Sequence, residues 1–188
     1  MRSLKVVEMS GNRLCDGFGL SQLLRLPRLE ELDVAGNAVA VLEVQHPATA
    51  LKRLVLDCNR LEKVDLQAEC PALIHLSCSD NRLSSLEGLK NAPRLQYLHL
   101  DMNNFSTFPH DLHRLKPLRL LSLSHNSLTH PTPLQLPVLQ HFHCSYNRIT
   151  SLSFLSPCRQ LQQVHSDHNY IEDLDFGPLP DLHVLRIA

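Results

Sequence analysis

From residue 4 onward, large apolar residues return in one fixed frame: apolar, two free positions, apolar, one free, apolar, two free, asparagine, one free, apolar. Leu51, Leu54, Leu56, Asn59 and Leu61 show it cleanly, as do Leu139, Phe142, Cys144, Asn147 and Ile149. The closing asparagines, Asn12, Asn37, Asn59, Asn81, Asn103, Asn126, Asn147 and Asn169, stand 25, 22, 22, 22, 23, 21 and 22 residues apart. A ninth frame opens with Leu182, Leu185 and Ile187. The alternating tail of each frame predicts a short strand with one side inward and the other outward. One copy cannot bury its apolar side alone. Stacked copies can, as a parallel sheet with about 4.8 Å between strands and a continuous core behind it.

The segments between frames are about eleven to thirteen residues long and lack a sustained helical period. Proline stands before several of the next strands, at Pro27, Pro71, Pro93, Pro117 and Pro137, and stops any helix from running on. Only turns or brief 3₁₀ stretches fit there. The first return, residues 14 to 28, is longer, and its Ser21–Leu26 stretch predicts a helical turn or two. The pair Gly17 and Gly19 reads as a flexible loop, because it lacks the lysine and remaining spacing of a phosphate-binding loop.

On these residues the chain resembles the leucine-rich repeat family over residues 4 to 188. The resemblance implies an α/β solenoid: a curved horseshoe with a parallel concave β-sheet, short 3₁₀ or irregular convex arcs, and eight to nine repeats. It also implies that the eight asparagines form a ladder, each amide bonding buried backbone of its own and the neighbouring coil. The 22-residue period is similar to the subclass typified by the leucine-rich regulatory subunit of type-1 protein phosphatase. The fifth return, Phe105 to Pro109, instead resembles the longer typical subclass.

Composition narrows the picture. A single solenoid domain over 1–188 is expected, since no linker or low-complexity tract interrupts the chain. The net charge of −1 argues against a direct grip on nucleic acid. No run of eighteen apolar residues occurs, so no membrane span is expected. Met1 to Lys5 leads straight into the first strand, which predicts no signal peptide. Cys78 and Cys144 take core positions of the frame, while Cys15, Cys58, Cys70 and Cys158 form no cluster. A reduced, cytoplasmic protein follows. Frames that start and stop inside a strand predict either a piece of a longer chain or association through uncapped solenoid ends.

The outward strand positions form three columns on the concave face. The candidates for protein binding there are Arg53, Asp57, His75, Tyr97, His99, Asp101, Leu120, His141, His143, His165 and Asp167. Tyr97 and Leu120 fall on adjacent strands as an exposed apolar anchor. The acidic start (Glu8, Glu31, Asp33) gives way to histidines. His141, His143, His165 and Asp167 come close to a zinc-ligand set, but parallel strands hold side chains side by side, so no metal and no cofactor are expected. The histidines suit a pH-responsive contact surface better. No nucleophile with an adjacent base emerges, so no catalytic residue is expected. The function expected is a non-catalytic interaction scaffold holding a protein partner on its concave face. Two alternatives are the substrate-recognition repeats of a larger phosphatase, kinase or ubiquitin ligase, and a part of a ribonucleoprotein that meets RNA only through another protein. The resemblance suggests phosphatase targeting among possible roles, which Tyr97 and the acidic residues fit and the histidines do not.

Overall fold

The computed structural model describes residues 3–188. Eleven three-residue strands follow in chain order: β1 (Val6–Glu8), β2 (Glu31–Asp33), β3 (Val41–Glu43), β4 (Arg53–Val55), β5 (Lys63–Asp65), β6 (His75–Ser77), β7 (Tyr97–His99), β8 (Leu120–Ser122), β9 (His141–His143), β10 (Gln163–His165) and β11 (Val184–Arg186). Nine of them form one parallel sheet in the order β1-β2-β4-β6-β7-β8-β9-β10-β11. The pairing never slips: Glu31, Arg53, His75, Tyr97, Leu120, His141 and Gln163 lie side by side across it. The middle residue of each interior strand enters the core. Leu32, Leu54, Leu76, Leu98, Leu121, Phe142 and Val164 are all 0 % exposed.

After each of the first eight strands of this sheet the chain turns inward through a residue in the left-handed region, just before the asparagine. The first two turns use Gly11 and Gly36, at φ 67 and 66. The next six use Cys58, Asp80, Met102, His125, Tyr146 and His168, at φ between 53 and 56. The asparagine then ties two coils together. Asn81 donates its amide to Leu56 O, Cys78 O and Ser79 O, each at 3.0 Å, and accepts from Leu61 N at 2.9 Å. Asn103 does the same one coil on, buried, bonding Cys78 O, Leu100 O and Asp101 O and accepting from Leu83 N. Asn12 bonds Met9 O and Ser10 O of its own coil. Groups that a buried turn would otherwise orphan are thereby paired.

The convex side departs from the expected turns and 3₁₀ arcs in its first coils. There β3 and β5 pair in parallel, Val41 with Lys63 and Glu43 with Asp65, and a bridge from Asp65 to Glu87 extends the ladder. Val41-Leu42-Glu43 and Lys63-Val64-Asp65 each place one core residue between two outward ones, a two-residue alternation too short to stand out in sequence. Later coils do use 3₁₀ turns, at Leu89–Asn91, Leu112–Arg114 and Ser153–Leu155.

The first return also differs. Its helix, α1, covers Gly17–Leu24, so Gly17 and Gly19 open a helix and are not a loop. Asp16 caps it, accepting from Phe18 N at 2.8 Å and Gly19 N at 3.1 Å, which satisfies two free amides of the first turn. Gly17 is required by packing: a Cβ there would overlap the Val41 carbonyl.

Candidate functional site: the concave face

Residues one and three of each strand in the nine-stranded sheet lie on its groove side. Arg53 and Tyr97 are exposed, Tyr97 by 37 %, and half-buried Leu120 stands beside Tyr97 in register. His75 lies between Arg53 and Tyr97 on the same row. Its ring centroid is 6.2 Å from that of Tyr97 and 5.3 Å from that of His99. Further along, His143 and His165 stack face to face at 4.6 Å with planes 10° apart, and His141 shares the strand of His143. Parallel neighbours at one strand spacing can only stack or splay, which explains this geometry.

The short residues of the middle column are covered by these larger ones. Val55, Ser77 and Ser122 are buried. The serines are partnered by aspartates of the preceding coil. Asp57 Oδ1 accepts from Ser77 Oγ at 2.6 Å and Ser79 N at 2.7 Å. Asp101 Oδ1 accepts from Ser122 Oγ at 2.5 Å and Ser124 N at 2.7 Å. Asp167 is tied to Ser145, its N–H donating to Oγ at 3.2 Å and its Oδ2 accepting from that hydroxyl at 3.4 Å. These three aspartates clasp coil to coil as well as edging the groove.

Electrostatics follow from this crowding. Burial, with Arg53 and His99 alongside, pushes His75 down to about 4. His143 is lowered by burial and by His165, His141 and His99, against an opposing pull from Asp101. Both imidazoles are therefore neutral near pH 7. Among the described residues no group of three or more His, Cys, Asp and Glu is placed to hold a metal ion. At five of the six cysteines the thiol is also held in its protonated form. Burial raises Cys78 and Cys144 strongly, and takes Cys70 and Cys158 to about 11. Exposed Cys58 is raised by partial burial and by Asp80 and Asp57. A nucleophilic cysteine needs the opposite shift.

A second surface feature escaped the sequence reading. His125, Tyr146 and His168 occupy the left-handed position of successive coils and form an exposed stack, with ring centroids 4.1 and 4.2 Å apart. Exposed Tyr170 follows, at 65 %. The signal was present in the residue preceding each ladder asparagine, a position the frame leaves free.

Comparison with known proteins agrees with this geometry. Residues 71–112 match the family described as leucine rich repeats (2 copies), and residues 117–137 match the single leucine rich repeat. The chain is 26 % identical to keratocan of Gallus gallus over 100 % of its own length and 46 % of keratocan's. It is 33 % identical to podocan-like protein 1 of Homo sapiens over 86 % of its length and 34 % of that protein's. The chain thus spans less than half of either relative. Internalin C2 of Listeria monocytogenes superposes with a TM-score of 0.82 at 23 % identity, covering 97 % of this chain and 80 % of that one. The plant peptide hormone receptor RGFR1, solved in complex with RGF2, gives 0.77 at 25 % identity, covering 98 % of this chain and 32 % of the receptor. The chain carries leucine-rich repeats and folds as their parallel-sheet solenoid.

Proposed function

We propose that the concave face holds a protein partner and that the chain works as a non-catalytic scaffold. The observation that carries this reading is the row Arg53, His75, Tyr97, Leu120 and His141, fixed in register on strands the asparagine ladder ties together. An aromatic side chain beside an aliphatic one, ringed by polar neighbours, is the composition of a binding hot spot. Because the backbone beneath is already ordered, little conformational freedom is lost when a partner docks. The second row, His99, His143 and His165, widens the same surface, with Asp57, Asp101 and Asp167 as its rim. A receptor of this fold solved with a peptide hormone supports the reading, as do the five thiols held protonated. The near-constant 22-residue period and three 3₁₀ turns favour the short-arc subclass of leucine-rich repeats.

The test is capture from native lysate by wild type, by the variant Tyr97→Ala/Leu120→Ser/His143→Ala, and by a convex variant, His110→Gln/His113→Gln. Circular dichroism checks that each variant folds. Proteins retained by wild type and the convex variant but lost by the groove variant support the proposal. Identical capture by all three overturns it.

A further inference from the structure

Charge is sorted along the groove in a way that specifies the partner, granted that the groove is the docking face. The carboxylates on strands of the concave sheet are all at one end: exposed Glu8 and Glu31 and half-buried Asp33, on β1 and β2. From β6 to β11 the strands carry no carboxylate. Their groove positions hold His75, His99, His141, His143 and His165, with exposed Arg53 before them and exposed Arg186 after. Asp57, Asp101 and Asp167, which follow strands here, each have a serine of an adjacent coil as partner, and Asp57 and Asp101 add a backbone amide, while exposed Asp80 sits beside Cys58 in the turn after β6.

We infer that the histidine half of the groove receives an acidic polypeptide segment, whose carboxylates lie over the imidazoles and whose binding takes up protons. The segment's basic or neutral continuation meets Glu8 and Glu31. Complementary potentials of this kind fix orientation and suppress wrong partners.

The geometry sets the proton coupling. Two imidazolium rings stacked at the 4.6 Å of His143 and His165 would repel each other. His75 faces Arg53 from β4 and His99 and Tyr97 from β7. His143 faces His141 on its own strand, His165 on β10, His99 on β7, and Asp101 after β7. Asp101 is the one anion in that set. Protonation of His75 and His143 is therefore unfavourable in the free groove, and an incoming carboxylate supplies the missing counter-charge. The complex then binds more protons than its separate parts, so affinity rises as pH falls.

The experiment titrates a fluorescein-labelled oligo-aspartate peptide, with oligo-lysine as the opposite probe, at about pH 7.5 and about pH 5.5. Three proteins are compared: wild type, the groove variant His141→Gln/His143→Gln/His165→Gln, and His110→Gln/His113→Gln/His130→Gln from the return segments. The last pair lose equal numbers of histidines, so general charge effects cancel. The single variant His165→Gln stands in if the triple fails to fold. The inference expects oligo-aspartate affinity to rise roughly tenfold or more on acidification, as histidine charging requires. That rise is lost in the groove variant and kept in the return-segment variant. A flat pH response, equal loss in both variants, or preference for oligo-lysine overturns it. Captured partners lost by Tyr97→Ala/Leu120→Ser, with no histidine-dependent peptide binding, leave the docking face standing and sink only the acidic partner. The reverse pattern keeps the acidic site and sinks the docking reading.

Discussion

The first two coils and the later ones share a backbone and differ in what they hang on it. Gly11 and Gly36 make the inward turns of the first two at φ 67 and 66. Residues such as Met102, His125, Tyr146 and His168 make the same turn further on, at φ 53 to 56. Glycine takes that conformation freely, whereas a residue with a Cβ accepts about 1–2 kcal/mol of strain. The aromatic stack at 4.1 and 4.2 Å returns a comparable amount, about 0.5–1.5 kcal/mol per pair. The concave face changes in parallel, from the carboxylates of β1 and β2 to the imidazoles of β6 to β10. The contrast teaches that the buried frame and its hydrogen bonds hold the fold. The outward columns are then free to carry specificity.

If that division is right, the largest losses come from backbone positions. Gly88 sits at φ 74 against the Leu66 carbonyl, where a Cβ would overlap. Gly88→Ala is expected to cost on the order of 3–4 kcal/mol, combining left-handed strain with overpacking, read as a drop in urea midpoint. A loss within error would mean that the backbone yields more than the comparison allows.

Asn103→Ala is next, at about 1–3 kcal/mol, because it orphans the buried Leu83 N–H and takes one of two asparagine donors from each of Cys78 O and Leu100 O. The matched change Asn12→Ala removes only exposed bonds within one coil and should cost about 0.5 kcal/mol or less. Equal losses at the two sites would break the ladder account.

Glycine at the strained turns sharpens the comparison further. Cys58→Gly relieves φ 53 where no ring stack is lost, and a gain of about 0.5 kcal/mol is expected once glycine's extra chain entropy is counted. Tyr146→Gly relieves the same strain but loses two stacks, so it should bring no gain by thermal melt.

The last effect is one of pH. His75 titrates at about 4 in the fold against 6.5 ordinarily, so the unfolded chain binds more protons between those values. Stability therefore falls as pH drops through that window. His75→Gln should flatten this stretch of the curve in urea titrations, and an unchanged slope would argue against a buried neutral imidazole.

Much of the fold was legible because its signal is repeated. Leu54, Leu76 and Leu98 recur in a frame that only stacked parallel strands can bury, and the register of β4 to β10 follows from that spacing. The α1 boundary was not legible, since Asp16 and Gly17 act through a cap and a close approach to Val41, both specific to one coil. The β3–β5 pair was missed for a similar reason, being set by two convex segments alone. At the site, the row from Arg53 to His141 could be placed by counting. The double role of Asp57 and Asp101 could not, because it depends on which serine lies on the next coil. The stack of His125, Tyr146 and His168 went unread because free positions in the frame carry no periodic constraint.

Side-chain oxidation footprinting of the protein with and without its captured partner tests the central claim most directly. Docking on the concave face predicts protection of His75, Tyr97, His99 and His143, with Tyr146, Tyr170, His110 and His113 left unchanged as internal references. Protection confined to Tyr146, Tyr170 or the return-segment histidines, with Tyr97 and His143 as reactive as in the free protein, would contradict it.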